Sequence, residues 1–330
     1  MEHIDILRAF DISIDGEQSL ESIYAYAPVY RFNYDDQAEP GSEADRDWVL
    51  KRTGVRSTAN AIADWTSYLV SQGIGSVAPT QYFGKNPRCF LSGKNDTEEN
   101  WIIYPFVRGI PYKGDLVQIR SAGKLLGEIH ATGMDRDFKL KVNKTVVAVD
   151  EKEIEEDIKV VIQKIEQYFP EKLKITQEIL TFYCQRYLKE VLPKLLKISL
   201  PLTNCSWDYK AANLIYQTDT SPILIDPDHG GRIPRMYDLA TALLLFHCDL
   251  SSAPKSMFTP GEWVIFLDEY KQYIHPTVEE QKTWSDLLLC AWIDEALWLL
   301  SHFPEGWADA NESYYLLSLL TTDLSNFSLQ

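Results

Sequence analysis

The segment 204–245 constrains the fold of this chain more than any other part of its 330 residues. Within it, Asp208 and Asn213 stand five residues apart, and a short apolar run follows at once. A polar turn separates this run from a second apolar run, which leads directly to Asp226. Two short β-type runs joined by a polar turn predict a β-hairpin. We therefore expect the hairpin to bring Asn213 close to Asp226.

These residues also suggest a chemistry. Asn213 and Asp226 offer the carboxylate and amide oxygens that a hard cation such as Mg²⁺ prefers. Asp208, on the preceding loop, is placed to orient a hydroxyl nucleophile. The block that starts at Asp226 begins like a calcium-binding loop, but its twelfth residue is Tyr237, where such a loop requires glutamate. The pattern therefore predicts a phosphoryl-transfer site.

The same segment resembles the catalytic core of the aminoglycoside phosphotransferase and choline kinase family, a branch of the protein-kinase-like fold. That family shows His-Gly-Asp, an Asn after four further residues, a strand that ends in Ile-Asp, and later an Asp-Leu-Ala helix start. Here Asp208, Asn213 and Asp226 match, and Asp238 follows Asp226 by twelve residues, whereas Ser206-Trp207 replaces His-Gly. The resemblance implies that Asp208 is the catalytic base, that Asn213 and Asp226 hold magnesium, and that Asp238 is structural.

The resemblance also implies the fold class, which is α+β and bilobal. We expect a small N-lobe over residues 1–107, in which an antiparallel β-sheet and one helix bind the nucleotide. We expect a larger, mainly helical C-lobe over residues 108–330, with the catalytic loop, the metal site and the acceptor pocket.

A strand predicted around Lys51 carries the lysine that contacts nucleotide phosphates in the family. A helix is predicted over residues 57–72, because apolar residues recur at helical spacing and Gly73 follows. Kinase-like proteins pair the strand lysine with a carboxylate on the following helix. Asp64 is the acid available between Lys51 and Gly73, so the resemblance assigns Lys51 and Asp64 to the nucleotide site.

Residues 101–107 are predicted to form the last N-lobe strand and the hinge, whose backbone would hydrogen-bond the nucleotide base. The resemblance therefore assigns Tyr104, Phe106 and Val107 to the cofactor site. Pro105 lacks an N–H, so the donor must come from Phe106 or Val107.

The implied cofactors are Mg²⁺ and ATP or GTP, the nucleotide serving as phosphate donor. One departure concerns the loop that normally grips the phosphates through glycine or serine. Here the loop reads Tyr24-Ala25-Tyr26-Ala27-Pro28-Val29. The missing glycines and the Ser206-Trp207 replacement are the features that favour a nucleotide-binding pseudokinase, which would act as a scaffold for a partner.

The charge of the chain limits the classes of partner that it is expected to bind. The net charge is −16, and residues 201–330 carry 18 acidic and 6 basic side chains, a net charge of −12. A nucleic-acid-binding protein would show the opposite sign. The acidic region suits a cationic small molecule, and it equally suits a solvated surface.

Targeting and redox signals point to the cytoplasm. No apolar run reaches the ~18–20 residues of a membrane span, and the acidic start MEHIDILRAF differs from a signal peptide. The five scattered cysteines contain no C-x-x-C pair, which argues against a zinc site and a disulfide framework. We expect a cytoplasmic monomer or homodimer without membrane or nucleic-acid partners.

Six residues are candidates for the acceptor site because they combine carboxylate, imidazole and aromatic groups, which suit an ammonium ion: Asp228, His229, Trp292, Asp294, Glu295 and Trp298. An amphipathic helix with buried tryptophans is the alternative explanation for the last four.

The favoured function is ATP- or GTP-dependent phosphorylation of a hydroxyl on a small, amine-bearing molecule. A resistance kinase for an antibiotic of the aminoglycoside or amicoumacin type fits the acidic helical C-lobe. A metabolic kinase for homoserine, choline or methylthioribose is the alternative within the same class.

Overall fold

The chain has the predicted mixed α+β class in a computed structural model. The structure describes residues 3–10, 12, 20–24, 27–34, 47–53, 56–79, 89–91, 100–134, 136–143 and 149–330. Two units result: the first contains Met1–Gly109, Asp137–Lys141 and Ile223–His229, and the second contains Ile110–Arg136, Val142–Pro222 and Gly230–Gln330. The functional division into residues 1–107 and 108–330 stays a prediction. Ala25 and Tyr26 of the phosphate loop lie outside the described residues.

A five-stranded antiparallel sheet forms the centre of the first unit, in the order β1-β2-β3-β5-β4. Its strands are β1 (Glu21–Ser22), β2 (Val29–Asn33), β3 (Asp47–Thr53), β4 (Cys89–Leu91) and β5 (Asn100–Pro105), and its helices are α1 (His3–Ala9) and α2 (Arg56–Ser71). The strands predicted around Lys51 and before the hinge are thus confirmed as β3 and β5, and the helix predicted over 57–72 is confirmed as α2.

Both faces of this sheet are covered because β5 is apolar on both sides. Trp101 and Ile103 belong to the core cluster that includes residues of α1, whereas Ile102 and Tyr104 belong to the cluster that includes residues of α2. Successive side chains of a strand point to opposite faces, which explains this division. Complete burial of a side chain such as Leu50 stabilises the fold by about 1.5–3 kcal/mol relative to exposure.

The second unit is mainly helical. Its helices are α3 (Leu116–Thr132), α4 (Glu151–Tyr168), α5 (Leu173–Arg186), α6 (Leu192–Leu195), α7 (Arg235–Leu245), α8 (Pro260–Tyr270), α9 (Val278–Ala291), α10 (Leu297–His302) and α11 (Ala310–Thr321). The π-helical turn Trp292–Ala296 lies between α9 and α10 and interrupts the α-helical hydrogen-bond pattern there. Capping boxes start α8 at Thr259 and α9 at Thr277, where the hydroxyl of each threonine satisfies a free backbone N–H.

Two glycines allow α3 and α8 to pack closely. A Cβ on Gly123 would lie 2.1 Å from the carbonyl oxygen of Phe266, and one on Gly127 would lie 2.9 Å from that of Tyr270. Residues four apart share one face of a helix, so both glycines face α8. A larger side chain at Gly123 would force the helices apart.

Two smaller sheets are built from short strands. One sheet has the order β6-β10-β7, with β6 (Lys141–Val142), β7 (Leu202–Cys205) and β10 (Gly231–Pro234), and the predicted hairpin is formed by β8 (Leu214–Tyr216) and β9 (Pro222–Leu224). Antiparallel pairing of β7 with β10 sets Cys205 opposite Gly231. This pairing places the loop after β7 beside the segment that enters β10, whereas α7 follows the end of β10 that pairs with Leu202.

Among the described residues, no helix combines the length and apolar character of a membrane span. The cysteines whose side chains are described, Cys184, Cys205, Cys248 and Cys290, are free thiols.

Candidate active site

Lys51 contacts two carboxylates within the first unit. Its Nζ lies 2.5 Å from Oδ1 of Asp226 and 3.1 Å from Oδ2 of Asp228. The Tyr104 hydroxyl donates to Oδ1 of Asp228 over 3.3 Å. Burial alone would lower the pKa of Lys51, but the two carboxylates outweigh this effect and raise the pKa. Lys51 is therefore a stable cation, and these four residues are called the Lys51 cluster.

Backbone pairing explains why Asp226 reaches Lys51 although the two are far apart in sequence. Leu224, at the end of β9, donates its N–H to the carbonyl of Gly75 over 3.1 Å and accepts from the N–H of Val77 over 2.9 Å. This pairing fixes the chain that leaves β9 within the first unit. Asp226 lies two residues further on and so meets Lys51.

Asp64, the predicted partner of Lys51, lies exposed on α2. The carboxylates that contact Lys51 in the structure come instead from the segment after β9. Sequence reasoning had assigned those two residues to the metal and to the acceptor. A role for Asp64 in nucleotide binding stays a prediction.

Two backbone N–H groups of the hinge, after β5, are predicted to bind the nucleotide base, and one of them already has an acceptor. The N–H of Phe106 donates to the carbonyl of Asp47 over 3.0 Å, and the Arg31 guanidinium lies 4.4 Å from the centre of the Phe106 ring. Because this N–H already has an acceptor, the predicted hydrogen bond to a nucleotide base falls to Val107. Val107 is half-buried, and its contact with the base stays a prediction.

Asp208 lies in the second unit, on the loop that follows β7. The side-chain nitrogen of Asn213 donates to Oδ2 and to the main-chain carbonyl of Asp208, each over 2.9 Å. Asn213 is the last residue of the 3₁₀ turn Ala211–Asn213, and the N–H of Ala211 donates to the carbonyl of Phe246 over 2.8 Å. The predicted base and one predicted metal ligand are thus in direct contact.

Trp207 replaces the family's glycine at a position where the backbone is left-handed. Its φ is 58°, a conformation that glycine adopts freely and other residues adopt at a cost of about 1–2 kcal/mol. The N–H of Trp207 donates to Oδ1 of Asp238 over 2.9 Å. Oδ2 of Asp238 lies 2.9 Å from Nε2 of His130, and both side chains are completely buried. Asp238 therefore supports the conformation of this loop.

The same core region contains a group of metal-type ligands. Ligand atoms of His130, Cys205 and Asp238 all lie within 4.8 Å of one another. Both ring nitrogens of His130 are engaged, Nε2 with Asp238 and Nδ1 with the Tyr270 hydroxyl. Burial, followed by the negative charge of Asp238, raises the pKa of the Cys205 thiol well above its ordinary value. The group is therefore a hydrogen-bonded core network.

Lys210 is a residue that sequence reasoning missed. Its Nζ lies 3.4 Å from Oδ1 of Asp208 and 3.0 Å from Oδ2 of Asp249. Lys210 has an extended backbone, with φ −137° and ψ 160°, and in extended chain residues two apart point the same way. The sequence signal that could have identified Lys210 is its position two residues after the predicted base. Lys210, Asp208, Asp249 and Asn213 are called the Lys210 cluster.

Two acceptor candidates, Asp294 and Glu295, lie on the π-helical turn of the second unit. The Tyr237 hydroxyl donates to Oδ2 of Asp294. Burial raises the pKa of Glu295 to about 7, and the charges of Asp294 and Asp208 add to this effect, while Lys210 opposes it. Glu295 is therefore within electrostatic range of the Lys210 cluster. Single π-helical turns inside helices are frequent at functional sites.

The other acceptor candidates differ in their surroundings. Trp292 is completely buried, and its indole N–H donates to the carbonyl of Leu319 over 2.9 Å, so its position is that of a core residue. The assignment of Trp292 to the acceptor site stays a prediction. Trp298 is 50% exposed and stacks on His302. His229 is exposed on the turn after Asp226.

The predicted metal ligands have suitable donor atoms. The nitrogen of the Asn213 side chain faces Asp208, which leaves the amide oxygen for a cation. The side chain of Asp226 is 37% exposed beside Lys51. An amide oxygen and a carboxylate fit Mg²⁺. Asn213 and Asp226 lie in different units, and their predicted proximity stays a prediction.

Comparison with known proteins gives one family. The model of the phosphotransferase enzyme family, APH, matches residues 28–287. No curated protein sequence matches the chain.

Several solved structures share the fold. An amicoumacin kinase in complex with AMP-PNP, Ca²⁺ and Ami has 17% identity and a TM-score of 0.62, with 97% of this chain and 92% of that chain covered. A microcompartment-associated aminopropanol kinase has 15% identity and a TM-score of 0.62, with 99% of each chain covered. A spectinomycin phosphotransferase in complex with ADP and spectinomycin has 16% identity and a TM-score of 0.61, with 96% of this chain and 92% of that chain covered.

Proposed function

Because the chain belongs to the phosphotransferase enzyme family, we propose that it transfers the γ-phosphoryl group of ATP to a hydroxyl of a small, amine-bearing molecule. The family match confirms the family that the sequence predicted. It also confirms the predicted enzyme class, a small-molecule phosphotransferase. The observation that carries the proposal is the Asp208 carboxylate, which Asn213 holds in place on a supported loop.

Asp208 acts on the acceptor. Its carboxylate accepts a hydrogen bond from the attacking hydroxyl and takes the proton as the new oxygen–phosphorus bond forms. The bond between the γ-phosphorus and the bridging oxygen breaks, and ADP leaves. Because little covalent chemistry falls to side chains in this reaction, orientation of the hydroxyl is the main contribution of Asp208.

The Lys51 cluster acts on the donor. Lys51 neutralises charge on the nucleotide phosphates, and Asp226 with Asn213 would hold Mg²⁺. When bound, Mg²⁺ supplies further positive charge to the phosphates. Asp228 and Tyr104 keep the Lys51 side chain in place through the contacts described above. GTP is the alternative donor, and binding of AMP-PNP or ADP by proteins of the same fold supports an adenine nucleotide.

The acceptor is proposed to carry an amine. The net charge of −12 over residues 201–330 attracts cations, and Asp294 and Glu295 supply carboxylates near the Lys210 cluster. We favour an antibiotic of the amicoumacin or aminoglycoside type. An amino alcohol of metabolism is the second candidate, which the fold similarity to an aminopropanol kinase supports.

An acceptor panel tests this function. The purified protein is incubated with Mg²⁺, γ-labelled ATP and, in turn, an amicoumacin, spectinomycin, an aminoglycoside, aminopropanol, homoserine, choline and methylthioribose. We expect label transfer to at least one amine-bearing compound and a loss of ~10²–10⁴-fold in kcat for Asp208→Asn. Asp268→Asn, a change of the same type at an exposed position of α8, should retain activity.

The opposing outcome is equally clear. If ATP with Mg²⁺ raises the melting temperature but no compound is phosphorylated and no ATP is consumed, the protein is a nucleotide-binding scaffold. Cytoplasmic localisation and the monomeric or homodimeric state stay predictions.

A further inference from the structure

The loop of Asp208 contains an ion pair, between Lys210 and Asp208, that has no role in the proposed reaction as described above. Lys210 is largely buried, with 20% of its side chain exposed, and its Nζ lies between Oδ1 of Asp208 and Oδ2 of Asp249. Burial alone would lower the pKa of Lys210, but the charges of Asp208 and Asp249 raise it. The ammonium is therefore charged throughout the pH range of an enzyme assay.

This contact completes the restraint on the Asp208 side chain. Asn213 donates to Oδ2 from one side over 2.9 Å, and Lys210 approaches Oδ1 to 3.4 Å from the other. With both oxygens engaged, rotation of the carboxylate about its last bond is hindered. A base whose orientation is fixed before the acceptor arrives loses less entropy in the transition state.

Asp249 is the anchor of this arrangement. It lies on the turn that follows α7 and has a left-handed backbone, with φ 60°, which aspartate adopts more readily than most residues. In the same turn, the carbonyl of Phe246 accepts a hydrogen bond from the N–H of Ala211. The loop that carries Asp208 is thus attached to the end of α7 by one backbone hydrogen bond and by one ion pair.

We propose that Lys210, anchored by Asp249, is a positioning residue for phosphoryl transfer: it holds the Asp208 carboxylate in the orientation that receives the acceptor hydroxyl, and its charge offsets the repulsion between that carboxylate and the anionic phosphoryl group. This inference rests on the proposed function. The charge matters because a carboxylate beside a developing bond to phosphorus repels the transferred group, and an ammonium 3.4 Å away weakens this repulsion where water is partly excluded.

The position of Lys210 makes a specific kinetic prediction. A residue that orients the base affects the chemical step more than ground-state binding, so its loss should lower kcat and leave KM little changed. Lys210→Met should lower kcat by ~10–100-fold, since small misplacements of reacting groups cost up to ~10²-fold. KM for ATP and for the acceptor should change by less than about threefold.

Three further variants separate positioning from mere structural support. Lys210→Arg keeps the charge and should recover at least about fivefold in kcat over Lys210→Met. Asp249→Asn removes the anchor charge at a half-exposed side chain and should lower kcat by about 3–10-fold. The double variant Lys210→Met/Asp249→Asn should be no slower than Lys210→Met, because Asp249 acts through Lys210. Lys255→Met is the matched control, since Lys255 forms an ion pair with Glu312 at 3.5 Å outside the Lys210 cluster.

The measurements are steady-state kinetics with an acceptor from the panel above and thermal unfolding of each variant. If wild-type protein phosphorylates no acceptor and consumes no ATP, the proposed function itself fails. If wild-type protein is active and Lys210→Met has the same kcat as wild type, the positioning role is wrong. The role is also wrong if Lys210→Met lowers kcat/KM through a higher KM and not through a lower kcat. Should Lys210→Met unfold, Lys210→Arg and Asp249→Asn decide: wild-type kcat in Asp249→Asn overturns the inference.

Discussion

The Lys51 cluster and the Lys210 cluster share one arrangement, a buried lysine between two carboxylates, but they assemble it differently. Lys51 receives Asp226 and Asp228 from a segment about 175 positions later in the chain. Lys210 receives one partner from two positions earlier and the other from the turn after α7. The first cluster depends on long-range pairing of strands, and the second depends largely on one extended loop.

This difference separates two uses of a buried lysine. In the Lys51 cluster the ammonium is the group that is proposed to contact the nucleotide phosphates. The carboxylates and Tyr104 position this ammonium. In the Lys210 cluster the carboxylate of Asp208 is the reactive group, and the ammonium positions it. Variants of the lysines should therefore affect different kinetic constants.

Within the Lys51 cluster, the largest effect is expected at Asp226. Asp226→Asn should lower kcat by ~10²–10³-fold, because it removes the negative charge of a proposed metal ligand that is also a partner of Lys51. Asp228→Asn should lower kcat by less than ~10-fold, since Asp228 only positions Lys51 and an isosteric amide keeps one hydrogen bond. Equal effects in steady-state kinetics would show that the two carboxylates have the same role.

A large effect on stability is expected near the Lys210 cluster. The pKa of Glu295 is raised from 4.5 to about 7, so the folded protein binds more protons than the unfolded chain between these values. The free energy of unfolding therefore falls as the pH rises through this window. Relative to wild type, Glu295→Gln should gain about 2–3 kcal/mol between pH 5 and pH 8.

Urea unfolding at the two pH values measures this gain, with Glu305→Gln as an exposed control of the same type. A difference between wild type and Glu295→Gln that is independent of pH would contradict the raised pKa of Glu295, of which burial is the main cause.

The two lysines provide the direct comparison. Lys51→Met should lower kcat/KM for ATP by ~10–100-fold, because hydrogen bonds to charged groups contribute about 1.5–3 kcal/mol. The loss should include a higher KM for ATP, unlike the loss in Lys210→Met, which should lie in kcat. Isothermal titration of AMP-PNP with Mg²⁺ measures the binding term directly, and unchanged affinity would remove Lys51 from the phosphate site.

The smallest expected effect concerns the backbone that supports Asp208. Trp207 has a φ of 58°, so glycine should be more stable than alanine there by about 1 kcal/mol. Trp207→Gly and Trp207→Ala both remove the indole, and their difference isolates the backbone strain. Denaturant unfolding of both variants tests this, and greater stability of the alanine variant would refute a strained loop.

Much of the architecture was accessible from sequence because its signals are local. Apolar periodicity placed α2, and the polar turn between two apolar runs placed the hairpin of β8 and β9. The order of Asp208, Asn213, Asp226 and Asp238 identified the family, since each stands at a fixed distance from the next. The π-helical turn between α9 and α10 was not accessible, because such a turn changes the hydrogen-bond pattern without a distinct sequence signal.

The site was only partly accessible for a related reason. Asp64 was expected beside Lys51 because kinase-like proteins pair the strand lysine with a carboxylate on the following helix, whereas Asp226 and Asp228, which contact Lys51 in the structure, come from beyond β9. The N–H of Phe106 was expected to be available, but Asp47 accepts it.

The sequence by itself determined the family, the α+β class and the residues that carry the proposed chemistry, because spacing along one loop and one hairpin is a local property. Tertiary structure alone decided which charges meet: Leu224 pairing with Gly75 and Val77 delivers Asp226 to Lys51, and the turn after α7 delivers Asp249 to Lys210. Ion pairs between distant segments depend on how strands and helices pack, and no single stretch of residues encodes that packing.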